Sequence, residues 1–88
     1  MPTLPLLLLL ACRVAELTEP CLDDPALCPP CSADDECSLQ GNPCLETVAC
    51  AHEDAGLAFV QIGCSKGTEY TWPDPEVCQC IDEVCQAP

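Results

Sequence analysis

Val77-Cys78-Gln79-Cys80-Ile81-Asp82-Glu83-Val84-Cys85-Gln86 is the stretch whose reading decides the fold. Two short β-prone runs, Val77 to Ile81 and Val84 to Gln86, flank the acidic pair Asp82-Glu83. The pattern predicts a small hairpin over about 77–86 that turns at that pair. Cys78 and Cys80 then lie on one face, because side chains alternate along a strand. Neighbours so placed do not readily bond each other. Each is therefore expected to staple the hairpin to a different element.

The rest of the chain supports that economy. It has 88 residues, 11 of them cysteine and 10 proline, with 15 acids against two bases and a net charge of -13. Such a length allows one small domain and excludes large enzyme scaffolds such as barrels and doubly wound sheets. The charge excludes nucleic acid as a partner, since phosphate contacts have only Arg13 and Lys66 to draw on. Hydrophobic residues make up 49%, but cysteines and the leucine-rich start inflate the figure. After Arg13 come sixteen large apolar side chains of the Val, Ile, Leu, Phe, Tyr and Trp types. A chain this short buries only about 60% of its unfolded surface, so its oily core is marginal. Charge repulsion weakens it further. Cross-links must make up the difference, and this cysteine content marks a disulfide scaffold.

The compartment follows from the start of the chain. Leu4-Pro5-Leu6-Leu7-Leu8-Leu9-Leu10 is far shorter than the ~20 apolar residues that span a bilayer. It fits the apolar region of an export signal, although no Lys or Arg precedes it. Leu9-Leu10-Ala11-Cys12 resembles the lipobox of bacterial lipoproteins. The resemblance implies a signal peptide at 1–11, acylation of Cys12 and attachment to a membrane through that lipid. Parity agrees: an odd cysteine in an exported chain needs its own explanation. The other ten, Cys21, Cys28, Cys31, Cys37, Cys44, Cys50, Cys64, Cys78, Cys80 and Cys85, suffice for five bridges. Their connectivity is not legible, because on the order of a thousand pairings are open to ten cysteines.

Residues 12–20 are expected to be the lipidated N-terminus and a tether, and 21–88 the cysteine-rich domain. Pro and Asp dominate 20–36, which disfavours regular structure. Ser32-Ala33-Asp34-Asp35 suits one capped helical turn. Asn42-Pro43 reads as a helix start. Leu45, Val48 and Ala49 then share a face, predicting one short helix over about 43–53. Leu57 to Cys64 and Thr68 to Trp72 read as strands of a second small hairpin, about 57–72, with Ser65-Lys66-Gly67 as its loop. The expected fold is thus a small disulfide-rich domain, irregular, with one short helix and two small β-hairpins.

Catalysis finds little to work with. Cys28-Pro29-Pro30-Cys31 has thiol-exchange spacing, but lacks a preceding strand and is followed by Asp34, Asp35 and Glu36, which oppose a thiolate. Zinc could draw four ligands from Cys28, Cys31, Cys78, Cys80 and Cys85, with His52 as a spare, but paired knuckles are absent and an export signal argues against free thiolates. The acids around Asp34 lack the spacing of a calcium loop. A single His and no Gly-rich phosphate loop leave no nucleophilic or phosphate chemistry. The chain is read as a non-enzyme without cofactor or metal. His52 is expected on the surface of the 43–53 helix.

Cys31-Ser-Ala-Asp-Asp-Glu-Cys37, followed by Cys44, resembles segments of small secreted cysteine-rich modules, including whey-acidic-protein inhibitors, but without their adjacent Cys-Cys pair. Together with the lipobox and Cys78-x-Cys80-x4-Cys85, the pattern is similar to small cysteine-rich lipoproteins of myxobacteria and their relatives. That resemblance implies location in the cell envelope, not an activity. The expected function is a lipid-anchored envelope domain with a structural or binding role. Lys66, Tyr70 and Trp72 are the expected contact residues. The alternative is a secreted protease inhibitor or toxin-like effector that uses the Lys66 loop.

Overall fold

The computed structural model describes residues 13–59, 63–64 and 69–88. Strands β1 (Glu16–Thr18), β2 (Cys37–Gln40) and β3 (Thr47–His52) form one sheet in the order β1-β3-β2. β1 runs parallel to β3 and β2 antiparallel to it. Strands β4 (Gln79–Ile81) and β5 (Val84–Gln86) form a separate antiparallel hairpin. A four-residue helix α1 (Pro20–Asp23) follows β1, and isolated 3-10 turns occupy Pro25–Leu27, Asp34–Glu36 and Pro75–Val77.

The hairpin expected over 77–86 is present. Its turn residues Asp82 and Glu83 both have positive φ, 53° and 68°, as a two-residue turn matched to strand twist requires. Cys80 and Cys85 are opposite one another in the ladder, yet each bonds elsewhere. Cys80 joins Cys31 and Cys85 joins Cys37 in β2. Cys78, just before β4, joins Cys50 in β3. The hairpin is thereby fastened to the sheet and to the loop before it through three bridges. Cys21–Cys28 closes the α1 turn, and Cys44–Cys64 closes a third region.

These sulfurs are the interior. The buried apolar residues among those described are five cysteines (Cys21, Cys31, Cys50, Cys78, Cys85), three alanines and Val48. Leu17, Leu39, Leu57 and Val84 pack around them from partly exposed positions. Cross-links thus fill the space that branched apolar side chains fill in a larger domain.

The helix expected over 43–53 is not there. The local start signal is used: the Asn42 carboxamide oxygen accepts from the Cys44 N–H at 2.9 Å, and the Asn42 carbonyl accepts from Leu45 N–H at 2.9 Å. The chain makes a turn and then enters β3. Five consecutive residues, Val48 to His52, are buried there, because β3 is the central strand and both of its faces are covered. A continuous small apolar run cannot be told from a helix face by period alone. His52, expected on a helix surface, is instead a buried strand residue, and its Nδ1 accepts from the Asp54 N–H at 3.0 Å.

The segment expected as lipidated N-terminus and tether, 12–20, is described only from Arg13. From Val14 onward that segment belongs to the fold. Val14 bridges Thr71 in parallel, Ala15 is 3% exposed, and β1 and α1 follow directly. Of the hairpin expected over about 57–72, residues 60–62 and 65–68, hence its loop, lie outside the described residues. The described part is irregular apart from the bridge at Thr71. One glycine is demanded by conformation: Gly41, between β2 and the Asn42 turn, has φ of 152°, a region L-residues rarely enter.

Candidate functional site

Of the expected contact residues, Tyr70 and Trp72 are among those described. Lys66 and the lipobox residue Cys12 lie outside the described residues. Tyr70 is half-buried and its ring is capped by the Arg13 guanidinium, 5.5 Å from the centroid, a cation–π pair. Its backbone N–H donates to the Pro43 carbonyl at 2.8 Å. Trp72 is half-buried and faces the Gly41 backbone; a Cβ there would stand 3.9 Å from its ring. The buried indole Nε1 of Trp72 has no hydrogen-bond partner among the described residues. Both aromatics therefore serve largely to pack the region between the N-terminal segment and the 41–44 turn.

The Sγ atoms of Cys31, Cys37 and Cys85 lie within 4.8 Å of one another, so two bridges sit side by side. All three sulfurs are already in disulfides and offer no thiolate lone pairs of the kind zinc takes from cysteine. Cys28 and Cys31 do not pair with each other, since Cys28 joins Cys21 and Cys31 joins Cys80. The C-x-x-C spacing is thus split between two structural bridges.

Several acids act as internal fasteners. The Asp34 carboxylate accepts from the Cys80 N–H at 2.9 Å, tying the 34–36 turn to β4. The Glu19 carboxylate accepts from the Ala87 N–H at 2.8 Å, tying the segment before α1 to the chain's last residues. Glu36 accepts from the N–H groups of Ser32 and Ala33 and from the Ser32 hydroxyl. The Ser32 backbone bond, foremost among these, holds the Glu36 carboxyl below its ordinary pKa. Asp34 and Glu19 have no signal in the sequence, because their partners are 46 and 68 residues away.

Open clefts mark the surface formed by the described residues. One, of about 480 Å³, is bordered by Asp34, Asp35, Glu76 and Gln79. A second, of about 260 Å³, lies between Val14, Glu16, Glu46 and Tyr70. A third, also about 260 Å³, separates the Cys21–Cys28 turn from the Asp82-Glu83 turn. Comparison with protein-family models, with curated proteins and with solved structures gave no match.

Proposed function

We propose that this chain is a lipid-anchored, disulfide-stapled domain of the cell envelope with a structural or binding role and no catalysis. The observation that carries the reading is the set of five bridges, four of which form the core of the molecule. Disulfides in that number persist in oxidising compartments and are lost to thiol reductants in the cytosol. The small disulfide-rich fold suits a rigid scaffold that holds surface groups in place. The lipobox-like Leu9-Leu10-Ala11-Cys12 supplies the expected attachment. Since Ala15 is buried and β1 begins at Glu16, an acyl group on Cys12 would hold the domain close against the headgroups rather than on a long leash. One acyl chain binds only marginally, so firm attachment needs more than one.

The test is the intact mass of the protein taken from native membranes. The expected result is a mature chain that begins at Cys12, carries acyl groups, and weighs ten hydrogens less than its reduced form, two for each of the five bridges. An unacylated chain in the cytosol, or free thiols throughout, would overturn the reading.

A further inference from the structure

We infer that the cleft between the Cys21–Cys28 turn and the β4–β5 turn is a docking site for an arginine side chain presented by a protein partner. The inference rests on the binding role proposed above but not on the acyl anchor. At about 260 Å³, the cleft is smaller than the roughly 300–1,000 Å³ of small-molecule and cofactor sites. It has room for one long side chain.

Its two walls differ in chemistry. One is apolar and stiff: the Cys21–Cys28 bridge with Pro25, Pro29 and Pro30. Proline rings present flat CH surfaces, have no N–H to satisfy, and fix their own φ. A side-chain stem can pack there without disturbing any hydrogen bond. The other wall is Asp82 and Glu83, both exposed. Among the described residues, no Lys or Arg lines the cleft. An arginine side chain combines the properties the walls ask for: an apolar stem, a flat weakly hydrated guanidinium face for the proline wall, and paired N–H groups for carboxylates. A net charge of -13 steers such a partner toward the molecule.

The acidic wall is fixed in place beforehand. Cys80–Cys31 and Cys85–Cys37 hold the two strands that enter and leave the turn. The Cys31 N–H donates to the Glu83 carbonyl at 3.0 Å. Little backbone ordering of this wall remains for binding to bring about, which lowers its entropic penalty. Asp82 and Glu83 also occupy positive-φ positions that Asn-Gly would fill with less strain. Two like charges side by side there gain a role if a cation sits between them.

The experiment is a titration of the ¹⁵N-labelled oxidised protein with acetyl-Gly-Arg-Gly-amide, followed by amide chemical shifts. Saturable shifts are expected at Cys31, Glu83 and Val84. The citrulline analogue, equal in shape but uncharged, should bind roughly tenfold more weakly or worse. D82N/E83Q should weaken the arginine peptide by a similar factor, while D35N/E76Q at the other acidic cleft should leave it unchanged. Should the double variant misfold, which its own spectrum reports, Asp82→Asn alone replaces it, since Asn tolerates positive φ. The inference is overturned by equal binding of both peptides, by shifts centred on the Asp35–Glu76 cleft, by indifference to the substitutions, or by no saturation. An unacylated protein that still gives the expected shifts would reject the anchor and keep the site. An acylated one without them would do the reverse.

Discussion

Cys50, at the middle of β3, is bonded to Cys78, and the two are 0% and 3% exposed. This bridge joins the central strand of the sheet to the start of the hairpin and encloses a sequence separation of 28. Cys21–Cys28 encloses only 7. Loop-closure entropy makes the longer link worth about 3–4 kcal/mol and the shorter about 2. C50A/C78A also removes two buried sulfurs and leaves a cavity. It is expected to lower the guanidinium midpoint, read by Trp72 fluorescence, more than C21A/C28A does. Full reduction in the presence of a metal chelator should abolish cooperative unfolding altogether. A sigmoidal transition that survives reduction would remove sulfur from the centre of the account.

Gly41 isolates a backbone effect from a packing effect. A Cβ at this position meets the Thr47 carbonyl oxygen at 3.6 Å and Val48 Cα at 3.7 Å, both ordinary contacts. Space is therefore available, and the penalty of Gly41→Ala comes from φ of 152°. Such strain is worth on the order of 1–3 kcal/mol. Gly56 has nothing within 4 Å of its added Cβ and shows no comparable φ. Gly56→Ala is expected to be neutral or slightly stabilising, by up to about 1 kcal/mol. Parallel chemical denaturation of both variants checks the contrast, and equal losses would refute it.

Glu36 gives stability a pH dependence of known sign. Its carboxylate is stabilised in the folded state by the Ser32 and Ala33 N–H groups, so its folded pKa lies below the ordinary value of 4.5. In the unfolded chain it takes up a proton first as pH falls. The stabilisation is fully present above the ordinary value and is lost as pH drops through the lowered folded value. The gap in unfolding midpoint between the parent and Glu36→Gln should be constant near neutrality and close in acid. A gap that widened as pH fell would show that another interaction holds the 34–36 turn.

The sequence showed more of the fold's material than of its arrangement. Cysteine count, poor apolar content and charge were enough to expect a disulfide-rich domain, because they state an energetic deficit that only cross-links cover. The 77–86 hairpin was legible since its signals are local: period-two runs and a two-residue turn. Val48 to His52 were misread as helical because their strand is stabilised from outside. Its neighbours β1 and β2 are supplied by Glu16–Thr18 and Cys37–Gln40, and no window around residue 48 contains them. The docking cleft was invisible for the same reason. Pro25, Pro29 and Pro30 lie more than fifty residues from Asp82, and the two segments meet through the Cys31–Cys80 bridge and the Cys31 N–H bond to the Glu83 carbonyl.

The N-terminal segment gives the most direct test of how far the folded domain extends. Ala15 donates to the Thr71 carbonyl and Thr71 donates to the Arg13 carbonyl, both at 2.8 Å. β1 then pairs Glu16, Leu17 and Thr18 with Thr47, Val48 and Ala49. Thr18 Oγ1 adds a bond to the Val48 carbonyl at 3.1 Å. A chain that begins at Glu19 keeps all ten paired cysteines but uncovers one edge of the central strand. Unpaired edges of buried strands recruit other chains. Such a truncation should exchange its Thr47–Ala49 amides with solvent far faster, and should self-associate as concentration rises. A chain that begins at Arg13 should do neither. Hydrogen exchange read by NMR, together with light scattering, distinguishes the two. Equal protection at Val48 in both chains would return residues 13–18 to the status of a tether.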